Sequence, residues 1–333
     1  MATKTTTLPS DVKRKRLQKV SATTSPYYGS EPQQRSISEL VRNGCIIVDK
    51  PSGPTSHQVV AWIRDILDLE KAGHGGTLDP SVTGILPTAV GDATRALQVL
   101  LCAGKEYVGV MKLHKSSTPE KIRRVCQGMV GAITQMPPVR SAVKRVRRQR
   151  QVYYLSILEI QDKDVLFQVG CEAGTYIRTL CVDIGKKLGT GAHLADLRRT
   201  RVGAFIENQT VTLHDIQDAY HFWKEDHDES YLRQTIFPME RLLDHVPKIV
   251  IRDSAVDAIC HGANLAIPGV VAVDSGIKKD DIVGILTLKD EGVAIARSVL
   301  SSEDILQKDI GVCATLDRVL MNKGTYPSLW KKS

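Results

Sequence analysis

The sequence predicts an α+β protein in two parts, a larger mixed domain followed by a small β-rich one. Segments with helical spacing and segments with strand character follow one another without strict βαβ alternation. That pattern points to a mixed, mostly antiparallel sheet rather than a doubly wound parallel one. At Pro247 the texture changes: KIVI, VVAV, DIVGILTL and GVAIARSVL are short strand-like runs with little helical periodicity between them. A chain of 333 residues has room for both parts, and the break implies two segments with separate cores.

The elements follow in order. Residues 1–36 are polar, with Pro26, Pro32 and few periodic apolar positions, and form an extended arm that needs another surface to order it. CIIVD (45–49) is a strand, closed by the turn KPSGPTS. Val59, Val60, Ile63, Ile66 and Leu67 recur at helical spacing, giving an amphipathic helix over 57–69 with Ser56 as N-cap. ILPTAV (85–90) is a short strand and DATRALQVLL (92–101) a helix. KEYVGVMKLH (105–114) is a strand with Tyr107, Gly109, Met111 and Leu113 on one face. Thr118 caps a helix that runs to 129, and 152–160 with 164–172 form a hairpin. Over 175–189 Tyr176, Ile177, Leu180, Cys181, Ile184 and Leu188 line one helix face, and Gly189 ends it. Residues 221–246 are charged and helical in character.

Composition narrows the function classes. The chain contains no apolar run of about 18 residues, the length a membrane span needs, and its first twenty residues lack the apolar stretch of a secretory signal. Cysteines at 45, 102, 126, 171, 181, 260 and 313 form no CxxC, which argues against a zinc site or a disulfide framework and fits a reducing compartment. A net charge of +8 says little by itself, but its distribution says more. KRKR (13–16), RSAVKRVRRQR (140–150) and RRTR (198–201) are three basic runs without an acid, which favours a polyanionic partner.

GHGGTLDP (73–80) sets three glycines and a histidine before an aspartate held by a proline. Glycine permits unusual backbone angles and close approach of a ligand, and Pro80 keeps Asp79 out of the helical region. The loop presents one carboxylate in a set direction. Standing alone, such a loop is an ordinary turn with a solvated Asp.

The ordered set KPSGPTS (50–56), GHGGTLDPSVTGILP (73–87), AGKEYVGVMKLH (103–114), PPVRSAVKR (137–145), CEAGTYIRTLCVDIG (171–185) and LRRTRVG (197–203) resembles the TruB-type pseudouridine synthases. Within them it is most similar to the dyskerin-like branch, the catalytic subunits of H/ACA guide-RNA particles. The likeness runs from 37 to 330 and takes in DSAVDAICHGANLAIPG (253–269) and TYPSLW (325–330).

The resemblance implies an RNA isomerase that converts uridine to pseudouridine without cofactor or metal. It implies an arm (1–36) packed on a PUA domain, a catalytic domain (37–245) with a central cleft, a PUA pseudo-barrel (247–323) that grips the ACA end of a guide RNA, and a tail (324–333). Asp79 matches the catalytic aspartate, Tyr107 the ring that stacks on the extruded uracil, and Arg178 the arginine paired with the carboxylate. His74, Tyr176 and Leu197 match positions around the substrate, with His74 near the nucleotide's backbone. Lys50 and Pro51 match a motif that buttresses the catalytic loop, in which Gly76 and Thr77 lead up to Asp79. Arg140, Lys144, Arg145, Arg147, Arg148, Arg198 and Arg199 are candidates for RNA phosphates. The implied partners are an H/ACA guide RNA, substrate rRNA and small accessory proteins, with no membrane. The implied location is cytoplasmic for an archaeal protein, which the length and the absence of a Lys-rich tail favour, and nucleolar for a eukaryotic one. A stand-alone tRNA-modifying enzyme and a non-catalytic RNA-binding scaffold are the competing readings. The short spacing between Leu113 and Pro137 disfavours the first, and the intact Asp79, Tyr107 and Arg178 set disfavours the second.

Overall fold

The computed structural model describes residues 7–136 and 146–328. Arg140, Lys144 and Arg145 of the central basic run, and residues 329–333, therefore lie outside the described residues.

In chain order the first part runs β1 (Arg16–Gln18), α1 (Ile37–Arg42), β2 (Gly44–Lys50), α2 (Ser56–Ile66), β3 (Ala72–His74), β4 (Thr83–Val90), α3 (Gln98–Cys102) and β5 (Lys105–Leu113). It continues α4 (Pro119–Gln127), β6 (Gly131–Gln135), β7 (Arg148–Gln161), β8 (Asp164–Cys171), α5 (Ile177–Leu188), β9 (Ala192–Val202), β10 (Phe205–Ile206), α6 (Leu213–Glu225), α7 (Ser230–Thr235) and β11 (Phe237–Pro238). The second part holds β12 (Lys248–Ile251), α8 (Asp253–Cys260), β13 (Leu265–Ala266), β14 (Val270–Asp274), β15 (Ile282–Leu286), β16 (Gly292–Ser298), α9 (Ser302–Gln307) and β17 (Val312–Val319).

Among the described residues the larger sheet has the order β11-β2-β4-β9-β5-β8-β7-β6, with β3 beside β4 and β10 beside β9. Its neighbours pair antiparallel except β4 with β9, so the sheet is mixed and mostly antiparallel, as the sequence predicts. The smaller sheet has the order β1-β14-β12-β15-β16-β17-β13. Helices cover the larger sheet in separate patches. α4 and α5 bury Ile122, Ile177, Leu180 and Ile184 against it, while α1, α2 and α6 enclose Leu40, Val59, Ile63 and Ile216 with Ile46 and Val48 of β2.

Local details follow the sequence closely at some points. Thr118 accepts the Lys121 N–H at the start of α4, and Gly189 ends α5 in the left-handed region at φ +75°. Others differ. Thr55, not Ser56, is the N-cap of α2 and accepts the Gln58 N–H; Ser56 is the first helical residue and is buried. The helix expected over 92–101 begins as a 3₁₀ turn over Gly91–Ala96.

The principal omission is β9. In the sequence RRTR reads as a basic run and LRRTRVG as a motif, with no strand assigned here, yet this strand joins β4 to β5 and so unites the two halves of the sheet. Its charged residues hide the period-two signal, and register shifts opposite Glu106/Tyr107 and Val110/Met111 break the alternation further.

The expectation of separate cores holds in part: Ile249, Val256, Val273, Ile285 and Val293 belong to a core within the second part, but a further cluster is shared. One apolar cluster contains Cys45, Ile47 and Ile85 of the larger sheet, Leu242 and Leu243, and Leu286, Ile295 and Leu320 from the second part. The arm straps both sheets. Leu8 is buried, Asp11 forks onto Arg201 of β9, β1 pairs with β14, and Asp253 of α8 accepts the Ser25 N–H at 2.8 Å. Arg35 then forks onto Glu240 at 2.8 and 2.9 Å.

His245 lies at the junction, its Nε2 3.0 Å from the Val99 carbonyl and its Nδ1 buried without a partner. Burial, then Lys248, Lys105 and Arg14, hold the imidazole down to about 4. The folded ring is therefore neutral where the unfolded one takes up a proton. Stability is full above about pH 6.5 and falls toward pH 4, with a slope approaching about 1.4 kcal/mol per pH unit. Urea unfolding at several pH values is expected to show this slope, and His245→Gln is expected to reduce it.

Candidate active site

The GHGGTLDP loop hangs between two buried polar side chains. β3 pairs with β4, and the Gly75 N–H continues the contact to the Pro87 carbonyl at 2.9 Å. Only Gly76 of the three glycines has a positive φ, +135°. A Cβ on Gly73 or Gly75 would instead meet the Leu97 or Leu100 side chain at 2.8 or 2.6 Å, so those two serve close packing. On one side of Asp79, the Ser56 hydroxyl accepts the Leu78 N–H at 2.8 Å and donates to the Leu78 carbonyl at 3.1 Å. On the other side, Lys50 is fully buried and its Nζ donates to the carbonyls of Pro51, Pro80 and Val82 at 2.8, 3.0 and 2.9 Å. Burial lowers the Lys50 pKa, with Asp79 acting against that shift.

Asp79 itself is half-exposed and forms an ion pair with Arg178. It opens onto a cleft of about 530 Å³ that brings together Gly76, Thr77, Asp79, Tyr107, Tyr176, Arg178, Leu197 and Arg199. Leu78, Val82, Ile177, Leu194 and Leu197 supply its apolar lining. Arg178 reaches the carboxylate because α5 starts at Ile177, and that start is clamped. Gln135 of β6 accepts the Tyr176 N–H at 2.9 Å and donates to the Tyr176 carbonyl at 3.1 Å. Burial raises the Tyr107 pKa, with Arg199 opposing, so the phenol is protonated at neutral pH.

The remaining expected residues stand outside this cleft. Lys50 and Pro51 lie behind the loop, with Pro51 contributing its carbonyl. The His74 Nδ1 accepts the Gly76 N–H at 3.3 Å, its ring meets that of His57 edge-on, and its Nε2 is buried and unpartnered. Burial first, then His57 and Arg199, push His74 down to about 4, so the ring is neutral. Arg147 and Arg148 are exposed, and Arg147 borders an adjoining groove with Arg178 and Lys186.

Arg198 and Arg199 do not form the basic face expected of them. Arg198 forks onto Asp49 at 3.0 and 2.9 Å and also pairs with Glu207, so two carboxylates already neutralise it. Arg199 is 1% exposed, and its guanidinium donates to the Ile85 carbonyl at 2.8 Å and the Gly76 carbonyl at 3.1 Å. A phosphate has no approach to a side chain so enclosed. Lys105, also in the cleft wall, donates to the carbonyls of Leu100, Leu101 and Ala103. Burial, with Arg199 adding to it, pushes Lys105 down to about 8.

Comparison with known proteins shows the family. The chain is 52% identical over 325 residues to the "Probable tRNA pseudouridine synthase B" of Methanosarcina acetivorans, covering 98% of this chain and 96% of that one. It is 55% identical over 325 residues to a protein of the same name in Pyrococcus horikoshii, covering 97% of each. The chain belongs to the TruB family of pseudouridine synthases. Within this TruB-type chain, residues 64–177 match the model for the TruB family pseudouridylate synthase N-terminal domain, and 178–244 that for the tRNA pseudouridylate synthase B C-terminal domain. Residues 247–320 match the PUA domain and 5–60 the DKCLD domain. Among solved structures, a chain of a Cbf5-Nop10-Gar1 complex superposes with a TM-score of 0.94 at 52% identity, covering 97% of this chain and 99% of that one. A chain from an H/ACA RNP bound to a substrate RNA containing 2'-deoxyuridine gives 0.91 at 50% identity, covering 97% and 100%.

Sequence reasoning missed Ser56, Gln135 and Lys105 as parts of this TruB-type site. Ser56 was assigned to a helix cap, and nothing local marks Gln135 or Lys105. Among the described residues no cluster of three metal-ligating side chains occurs. Ser56→Ala leaves the Leu78 N–H without its buried partner, a loss of about 1–3 kcal/mol. Chemical denaturation is expected to register that loss, and the turnover rate is expected to fall more than RNA affinity, because Leu78 precedes Asp79.

Proposed function

We propose that this pseudouridine synthase is the catalytic subunit of an H/ACA-type guide-RNA particle and isomerises uridines in rRNA. The observation that carries the reading is the superposition, over nearly the full length of both chains and at about half identity, with chains from particles of that kind. The half-exposed Asp79–Arg178 pair at the mouth of an apolar-walled cleft supports it chemically.

In this reading the target uridine leaves its stack, at a cost of a few kcal/mol. Tyr107 stacks on the extruded base and Leu197 closes the apolar side. Asp79 promotes cleavage of the N-glycosidic bond, the uracil turns, and C5 rejoins the ribose. Arg178 keeps the carboxylate ionised and oriented by charge and hydrogen bonding. Tyr176 borders the pocket and His74 lies near the nucleotide's backbone. Arg147 and Arg148, with Arg140, Lys144 and Arg145, meet phosphates. Guide pairing selects the uridine, so the protein reads shape and backbone, and the PUA domain holds the ACA end. Small accessory proteins complete the particle. The location is cytoplasmic in an archaeal cell and nucleolar in a eukaryotic one. A second reading, modification of tRNA without a guide, is favoured by the names of the similar proteins.

Asp79→Asn keeps size and polarity but removes the charge. Tritium release from C5-labelled uridine is expected to vanish while RNA binding persists. Activity within about tenfold of the parent, about 1.4 kcal/mol of barrier, would exclude the catalytic role. Arg178→Lys is expected to cut the single-turnover rate strongly with little change in affinity, because an ammonium lacks the planar fork. Guide dependence is read by assaying an rRNA fragment with an intact guide, with an ACA-mutant guide and with none, beside unguided tRNA. Full activity with the intact guide alone is expected. Efficient modification of unguided tRNA, together with equal binding of both guides, would favour the second reading.

A further inference from the structure

We propose that Arg199 is a positioning residue for the isomerisation, acting through the hydroxyl of Tyr107. The proposal rests on the reading of Tyr107 as an active-site ring. Tyr107 on β5 and Arg199 on β9 are cross-strand partners, and both face the cleft. They meet because of a bulge. Glu106 is opposite Arg201 and Tyr107 is opposite Arg199, so Thr200 is the extra residue.

In a regular strand, residues 199 and 201 would share a face. The bulge sends Arg201 to Asp11 of the arm and Arg199 to the cleft. The Thr200 hydroxyl donates to Glu106 at 2.7 Å, which anchors the bulge.

Arg199 carries a charge at 1% exposure, and among the described residues no carboxylate pairs with it. Its guanidinium donates to the Ile85 and Gly76 carbonyls, and its cross-strand neighbour on the cleft side is Tyr107. Lys105 stands nearby, on three carbonyls of its own, and the acid in the cleft, Asp79, is engaged by Arg178. Burying an ion without a counter-ion is costly, and such groups concentrate at functional sites.

A guanidinium can only donate, so in the contact proposed here the phenol oxygen accepts from it and the phenol's own O–H is left free to point toward the cleft. The rigid carbonyl contacts on either side fix where the guanidinium stands. Arg199 reaches the Ile85 carbonyl through Nε and the Gly76 carbonyl through Nη2, and the single nitrogen of a lysine cannot stand at both places in that plane.

The test is a double-mutant cycle on the full-length protein with guide RNA and C5-tritiated substrate, using Arg199→Lys, Tyr107→Phe and the double variant. Single-turnover rates at saturating RNA are measured beside RNA-binding titrations. Arg199→Lys is expected to slow the rate by about tenfold or more with affinity within about threefold, and the combined loss to fall about fivefold or more short of the product of the single losses. Arg199→Gln repeats the cycle, and its binding titration and thermal midpoint check the fold. Rates that multiply independently would overturn the proposal while leaving Tyr107 in the site. A wild-type rate for Tyr107→Phe would overturn this proposal, which acts through the hydroxyl, while leaving the stacking role of the ring, and a wild-type rate for Arg199→Lys would likewise remove this proposal alone.

Discussion

The buried ammonium of Lys50 is the constraint on which the site depends. Among the described residues it has no carboxylate partner, and it donates to the three carbonyls of Pro51, Pro80 and Val82. A buried charge so placed is tolerable only if every donor is used, and the carbonyls can converge only if the loop after Asp79 folds back on the end of β2. Ser56 makes the matching closure before Asp79. Asp79 thus sits in a short exposed stretch, 79–81, between Leu78 and Val82, which are buried and held by Ser56 and Lys50.

The cations in and around the cleft divide into three groups. Lys50, Lys105 and Arg199 are internal, bound to main-chain oxygens, and set the shape and field of the cleft. Arg198 and Arg201 are neutralised by Asp49, Glu207 and Asp11. Arg147 and Arg148 are exposed, next to the basic segment at 140–145. Net charge alone treats all of them as one surface. Among the described residues, Arg147 and Arg148 of the central run face solvent, whereas the arginines of RRTR are buried or paired.

The two sheets form one mechanical unit. A shared apolar cluster joins Leu286, Ile295 and Leu320 to Ile47 and Ile85. The arm fastens the same joint from outside, through Asp11, β1, Asp253 and Glu240 in turn. Arg201 ties the arm to the strand that carries Arg199, so arm, bulge and cleft are consecutive along a few residues of β9.

The sequence by itself determined the class of fold, the change of texture at Pro247, most helices and hairpins, and the family. Each of these rests on local periodicity, on turn chemistry, or on motifs that can be compared whole. Asp79 and Arg178 were legible because the motifs matched residue by residue, and the structure then brought the two together across 99 positions of chain. What only the tertiary structure decided was the use of polar residues inside it. β9 was hidden because a strand covered on both edges needs no hydrophobic alternation when its arginines find carboxylates and carbonyls across the sheet. Ser56, Gln135 and Lys105 act on main-chain atoms 22, 41 and up to 5 residues away, and a contact to a carbonyl leaves no mark on the residue that owns the carbonyl. The opposite fates of Arg199 and Arg201 follow from one extra residue, Thr200, whose place is set by pairing with β5 and by nothing in RRTR itself.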